Sequence, residues 1–268
     1  MANTPARRRR HKLSGWVPNQ HGAWSMLIGP AVVGLIGRLV REPSWVVVPV
    51  LVAWFAGYFA FFASGLWAHA RNPNRKRGFA RPMCVYAAIA LVAVVVALVL
   101  QPNLAWAAVI YAPLMTIAVG EMLRGRSRSV LSGFSTTAAS GLLVWVLAGG
   151  VQWWSDPALG PALILVFYFM GTITFVKSTI REKGNRGFYW FSVAFHTVVM
   201  VAGAVITPWA LLPLGAATAR AAVIPRRILT AAVAGRAWSA KRIGLTEVPF
   251  FLLSCITVVV LLLLVGRG

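Results

Sequence analysis

Long apolar runs dominate the chain, and polar residues are concentrated in the short segments between them. A helix needs about 20 apolar residues to cross roughly 30 Å of hydrocarbon, whereas membrane β-strands would alternate polar and apolar positions over about ten residues. Here the runs are apolar on all sides, so the pattern predicts an all-α, polytopic membrane bundle of about nine transmembrane helices. The predicted spans are residues 22–39, 45–67, 83–100, 104–122, 132–151, 159–176, 188–206, 211–224 and 248–265.

The end of the chain is the least regular part of this pattern. The eighth predicted span is short and contains Arg220. The segment after it, residues 225–247, alternates apolar residues with Arg and Lys, which is typical of an amphipathic helix lying in the membrane interface. We therefore expect the eighth span to be tilted or half-buried, and an interfacial helix to follow it.

Composition and charge narrow the class of protein. The chain has 268 residues, of which 59% are apolar and 12% charged, against about 45–50% and 25% in soluble proteins. This argues against a soluble enzyme. With 26 Lys and Arg against five Asp and Glu, the net charge of +21 would suit nucleic acid, but the apolar runs favour the lipid bilayer as partner, and no nucleic acid is expected.

The basic residues alternate between the two ends of the spans. They occupy the N-terminal tail and every second connection; the exceptions are Arg38, Arg41 and Arg267. The positive-inside rule then predicts a cytoplasmic N-terminus and an outside C-terminus. Residues 1–20 are interpreted as a basic cytoplasmic tail and residues 21–268 as the transmembrane helical domain.

Three neighbouring polar residues mark the point where the chain enters the bilayer. Asn19, Gln20 and His21 offer several hydrogen-bond donors and acceptors and one group that titrates near neutral pH. They are candidates for the mouth of a binding site. The alternative is a helix entry within an aromatic belt formed by Trp16 and Trp24.

Two basic connections are further candidates. His69, Arg71, Asn72 and Arg75 follow the second span, and such a cluster can bind a phosphate or a carboxylate. It can equally be a topology signal that touches only lipid headgroups.

The connection after the sixth span contains Lys177, Arg181 and Glu182. Its alternative interpretation is a local ion pair between Glu182 and Arg186. Connections that face the same compartment would converge over one central cavity. We therefore expect an anionic amphiphile to bind in a cytoplasm-facing cavity, with its acidic head on these cations.

Other ionisable residues are sparse. His196 lies within the seventh span, where an ionisable residue is a functional candidate by default, although a neutral histidine bonded to a neighbour is the alternative. Glu247 precedes the ninth span and suits a helix N-terminus. With five acidic residues in the chain, a carboxylate-rich metal site is not expected, and no cofactor is predicted.

Two segments resemble the YwiC-like family of bacterial membrane proteins. They are PNQHGAW at residues 18–24 and RIGLTE at residues 242–247. The resemblance covers most of the chain. It implies a multi-pass protein of the bacterial plasma (inner) membrane, but no particular reaction.

The overall plan more remotely resembles the UbiA prenyltransferase superfamily, which has nine helices and functional loops after helices two and six. Asn72, Asn74 and Arg81-Pro82 resemble the first loop motif, and Lys177 and residues 181–186 resemble the second. The aspartates that would hold Mg²⁺ are replaced by Asn, Arg and Lys, which could neutralise a phosphate directly. The alternatives to a lipid-binding protein are therefore a divergent prenyl or lipid transferase acting on a prenyl phosphate, a transporter, or an assembly factor for a respiratory complex.

Overall fold

The computed structural model describes residues 14–18, 21–149 and 155–266. These residues form nine long helices and one short one, with no strand among them. The helices are α1 (His21–Arg41), α2 (Val47–Ala68), α3 (Pro73–Leu100), α4 (Ala105–Leu123), α5 (Val130–Leu147), α6 (Leu159–Ile180), α7 (Arg186–Ile206), α8 (Leu211–Val233), α9 (Ala240–Leu245) and α10 (Val248–Val265). Single 3₁₀ turns at Pro102–Leu104 and Pro208–Ala210 precede α4 and α8.

The prediction of an all-α membrane bundle is confirmed. Eight of the described helical segments are long and apolar enough to cross a membrane. The long helix outside this set is α8, which carries Arg220, Arg226 and Arg227. The predicted sidedness of the termini stays a prediction, as does the division at residue 20.

The core of the bundle is built around α5 and α6. Helix α5 packs against α1, α4 and α6, while α6 also contacts α7, α8 and α10. The two central helices approach closely at Gly141, where a Cβ would lie 2.7 Å from the backbone nitrogen of Val166. Small residues permit such contacts, and packing rather than apolar contrast holds helices together in lipid.

Helices α2 and α3 form a hairpin at the edge of the bundle, and α3 packs chiefly against α2. Residues 14–18 lie against this hairpin. The hydroxyl of Tyr86 on α3 donates to the carbonyl of Trp16 at 2.9 Å, and Phe59 contacts both Tyr86 and Trp24 edge to face. An aromatic cluster therefore joins the start of α1 to the hairpin.

Helix α3 begins earlier than predicted. Asn72 caps it by accepting from the backbone N–H groups of Asn74 and Arg75, and Pro73 occupies the first turn. Proline suits that position because it lacks the N–H that would be unpaired there anyway. Arg75 therefore lies on a helix rather than in a loop.

The prediction for the segment after the eighth span was wrong, because α8 is longer than that span and includes the first part of the segment. Helix α8 continues through Pro225 to Val233 instead of ending at residue 224. Tyr189 of α7 donates its hydroxyl to the Ala222 carbonyl at 3.0 Å, on the turn before the proline. Only the six-residue α9 follows before α10.

Candidate functional site

The connections after α2, α4 and α6 lie together at one end of the bundle. His69 lines an open depression of about 470 Å³ whose remaining wall is the α4–α5 connection, from Gly125 to Ser129. From the other side, Lys177 Nζ and Arg181 Nη1 both donate to the Arg128 carbonyl, at 3.4 and 3.2 Å. The two predicted connections therefore share a face, but the α4–α5 connection links them.

We call this end of the molecule the basic surface. It comprises His69, Arg71, Arg75, Arg126, Arg128, Lys177 and Arg181. The side chains of His69, Arg71 and Arg75 are exposed, and Lys177 is half-buried. Surface cations of this kind attract anionic headgroups.

The α4–α5 connection is ordered by a carboxylate at the end of α4. Glu121 is buried and accepts from Arg126 Nε at 3.1 Å and Nη2 at 2.7 Å, while Arg124 Nη1 lies 3.6 Å from the same carboxylate. The hydrogen bond from Arg126 to this carboxylate raises the pKa of the guanidinium. Glu121 thus fixes the wall of the depression and is already neutralised.

The acid in the α6–α7 connection has a local partner as well. Glu182 accepts from Asn185 Nδ2 at 2.9 Å, and Asn185 in turn caps α7 by accepting from the Phe188 N–H at 3.1 Å. The Glu182–Arg186 pair offered as an alternative is not among the ion pairs of the described residues. Glu182 therefore shapes the connection and does not neutralise Lys177 or Arg181.

The predicted entry cluster lies mostly outside the described residues. Asn19 and Gln20 lie outside the described residues, and for His21 only the backbone, as the first residue of α1, is described. Asn72 is described, and its side-chain oxygen caps α3. The ligand-binding roles of all these residues stay predictions.

A second, smaller depression of about 250 Å³ lies between the α6–α7 connection and α8. Its wall includes Arg226, whose guanidinium lies 5.2 Å from the ring centre of Tyr189 and 5.7 Å from that of Trp190. This cation is already engaged with aromatic rings. The first depression is lined by His69 and Arg128 as well as by Arg126, which is bonded to Glu121, and Lys177 and Arg181 reach the Arg128 carbonyl at its edge.

A separate polar cluster lies inside the bundle. Arg220 of α8 donates from Nη1 to Glu247 Oε2 at 2.7 Å, and the Thr172 hydroxyl of α6 donates to the same oxygen at 3.2 Å. His196 of α7 is buried, and its Nδ1 contacts the Ser192 carbonyl at 2.7 Å. The Arg220–Glu247 pair was not predicted from the sequence, whereas Glu247 does stand at the N-terminus of α10, as predicted.

Two signals in the sequence could have found these contacts. One is the pair of opposite charges formed by Arg220, within the eighth predicted span, and Glu247, immediately before the ninth. The other is the alternation of Arg124, Arg126 and Arg128 directly after Glu121. Within the described part of the chain, no three His, Cys, Asp or Glu residues are grouped as metal ligands.

The chain is similar to a family model and to two bacterial proteins. The family model described as YwiC-like protein matches residues 17–148. "Uncharacterized protein YwiC" of Bacillus subtilis is 27% identical over 238 residues, covering 87% of this chain and 92% of that protein. An "Uncharacterized protein" of Haemophilus influenzae is 24% identical over 186 residues, covering 67% and 74%. No solved structure matches the chain, so the UbiA resemblance is not confirmed.

Proposed function

Because this chain belongs to the YwiC-like family, we propose that it is a multi-pass protein of the bacterial plasma membrane that binds an anionic amphiphile at its basic surface. The acidic head would lie in the depression beside His69, within reach of Arg71, Arg128, Lys177 and Arg181. The apolar tail would extend along the lipid-exposed helices.

One observation carries this proposal. Lys177 and Arg181 converge on the Arg128 carbonyl, at the edge of the depression that His69 lines. Glu121 is paired with Arg126, and Glu182 is bonded to the neutral Asn185 amide, so neither acid forms an ion pair with Lys177 or Arg181 among the described residues, and the cations of the basic surface outnumber these two acids. The cations therefore keep an excess of positive charge at the membrane interface, where a phosphate or carboxylate can form charge-assisted hydrogen bonds.

The experiment measures binding of phosphatidylglycerol to the purified full chain in neutral detergent micelles, using native mass spectrometry, with phosphatidylcholine as the neutral comparison. The test variant is Arg71→Ala with Arg181→Ala. Each cation near an anionic lipid contributes about 1 kcal/mol, so removing two should weaken binding by roughly thirtyfold.

The matched control is Arg227→Ala with Arg236→Ala, which removes the same charge from exposed positions on α8 and just after it. We expect this control to bind phosphatidylglycerol nearly as the wild type does. Unchanged binding in the Arg71/Arg181 variant, or an equal loss in the control, would refute a specific site. The transferase, transporter and assembly-factor alternatives stay predictions from the sequence.

A further inference from the structure

The Arg220–Glu247 ion pair lies where charge is costly. Arg220 belongs to α8, nine residues after its first residue, and Glu247 stands just before α10. The Arg220 side chain is fully buried, and that of Glu247 is 14% exposed. An ionised pair in an apolar bundle needs hydrogen bonds on its remaining polar atoms to offset the loss of water.

Those remaining atoms have no such bonds within the described residues. Arg220 Nε and Nη2 are buried without a hydrogen-bond partner, and so is Glu247 Oε1. Buried groups of this kind are uncommon in folded proteins, and each one calls for a physical explanation. Three of them belong to one ion pair.

The identity of the two arginine donors is informative. Nη1 faces Glu247, which leaves Nε–H and Nη2–H, the two parallel donors along one edge of the planar guanidinium. This edge matches the two oxygens of a carboxylate or a phosphate, and it is the edge used in bidentate recognition. A ligand that is a single-atom anion would not need two parallel donors.

Aromatic rings surround the cation. The guanidinium carbon lies 4.3 Å from the ring centre of Phe175, 5.0 Å from that of Phe250 and 5.8 Å from that of Tyr168. Rings in such positions stabilise a cation through its faces. Their π faces do not accept from in-plane N–H donors. The Tyr168 hydroxyl interacts with Arg220, but Arg220 Nε and Nη2 form no hydrogen bond with it.

We propose that Arg220 and Glu247 form a membrane-embedded binding site for an oxyacid group, either a carboxylic acid or a phosphate, separate from the basic surface. The oxygens of the ligand accept from Arg220 Nε and Nη2. Because the ion pair is already neutral, an extra negative charge there would be costly. The ligand therefore retains a proton, which makes a carboxylic acid neutral and limits the charge of a phosphate, and its O–H donates to Glu247 Oε1.

Two sources could supply this chemistry, and the test separates them. The full chain is reconstituted in phosphatidylcholine nanodiscs, and equilibrium dialysis measures saturable binding of radiolabelled oleate or radiolabelled inorganic phosphate, with empty nanodiscs subtracted. Oleate represents a lipid that arrives through the bilayer, and phosphate represents a solute that arrives from water. We expect at least one probe to bind saturably.

The variants test the site itself. Arg220→Lys keeps the charge but removes the bidentate edge, so binding should weaken about tenfold or more. Glu247→Gln removes the negative charge that forces the ligand to stay protonated. The ligand can then bind Arg220 as an anion, so binding should strengthen about tenfold. Arg38→Lys is the matched control, because Arg38 is also buried and has an unpartnered Nε among the described residues. Arg38 lies near the C-terminal end of α1, beside Gly149.

The outcomes are distinct from those of the proposed function. Because oleate is itself an anionic amphiphile, which the basic surface would also bind, the Arg71→Ala with Arg181→Ala variant is the background in which the embedded site is measured, and it should still bind these probes saturably through Arg220. If it loses them instead, the acid binds at the basic surface and the embedded site is refuted. Absence of saturable binding in the wild type also refutes it. If Arg220→Lys does not fold, Glu247→Gln decides, since an unchanged affinity overturns the proposal.

Discussion

Removing one partner of the embedded ion pair should destabilise the protein far more than removing both. In Arg220→Met, the Glu247 carboxylate loses its 2.7 Å hydrogen bond and keeps, among the described residues, only the 3.2 Å bond from Thr172. Leaving a buried charge unpaired costs about 3–5 kcal/mol, whereas replacing a whole buried pair by apolar residues is often neutral. Arg220→Met with Glu247→Met should therefore recover most of the stability.

The assay is a double-mutant cycle on the free energy of unfolding, measured by reversible SDS denaturation in mixed micelles. We expect a coupling energy of about 3 kcal/mol or more between Arg220 and Glu247. The control cycle uses Arg126 and Glu121, which are also 2.7 Å apart, although Arg126 is 62% exposed. Its coupling energy should be smaller, because water screens the exposed Arg126 guanidinium.

The comparison tests exposure of the arginine, because the shortest contact is 2.7 Å in both pairs and both carboxylates are mostly buried, whereas Arg126 is 62% exposed and Arg220 0%. Equal coupling energies in the two cycles would show that exposure does not control the strength of these pairs. Additive losses in the Arg220 and Glu247 cycle would show that the 2.7 Å contact does not stabilise the fold. Either result would refute the reasoning.

Three further predictions concern other contacts. Gly141→Ala should destabilise the fold by about 1–3 kcal/mol in the same assay, because its Cβ would meet the backbone of α6, whereas Gly57→Ala, with nothing within 4 Å, should not. Glu121→Gln should speed hydrogen exchange of the amides of residues 124–129, since Arg126 loses its charged partner; unchanged exchange would contradict this. Asn72→Ala should lower the free energy of unfolding by about 1 kcal/mol, because α3 loses its cap, and should leave phosphatidylglycerol binding unchanged. Asn72→Asp keeps the cap and is the control. Weaker binding in Asn72→Ala would instead make Asn72 a ligand.

The helices were largely predictable because lipid imposes one strong constraint. A segment that crosses hydrocarbon must satisfy its own backbone hydrogen bonds, so a long apolar run becomes a helix. The ninth predicted span coincides with α10. Errors occurred where polar residues extend a helix: α3 begins among basic residues at Pro73, and α8 passes through Pro225.

The candidate site was predictable only in part. The sequence indicated that the connections after the second and sixth spans carry surplus positive charge, and the structure places both at one end. It did not indicate that Arg128 joins them, because this contact depends on how α4 and α5 place a short connection. His196 was recognised as a buried ionisable residue, but its surroundings were not.

The sequence alone therefore determined that this is an all-helical membrane protein and where most of its helices lie, because burial in lipid depends on local composition. Only the tertiary structure decided which helices touch, and so which charges meet. Arg220 and Glu247 are separated by the end of α8 and all of α9, and no local periodicity pairs them. In a bilayer, apolar faces do not reveal their neighbours, because lipid and protein are equally apolar and close packing selects the contacts.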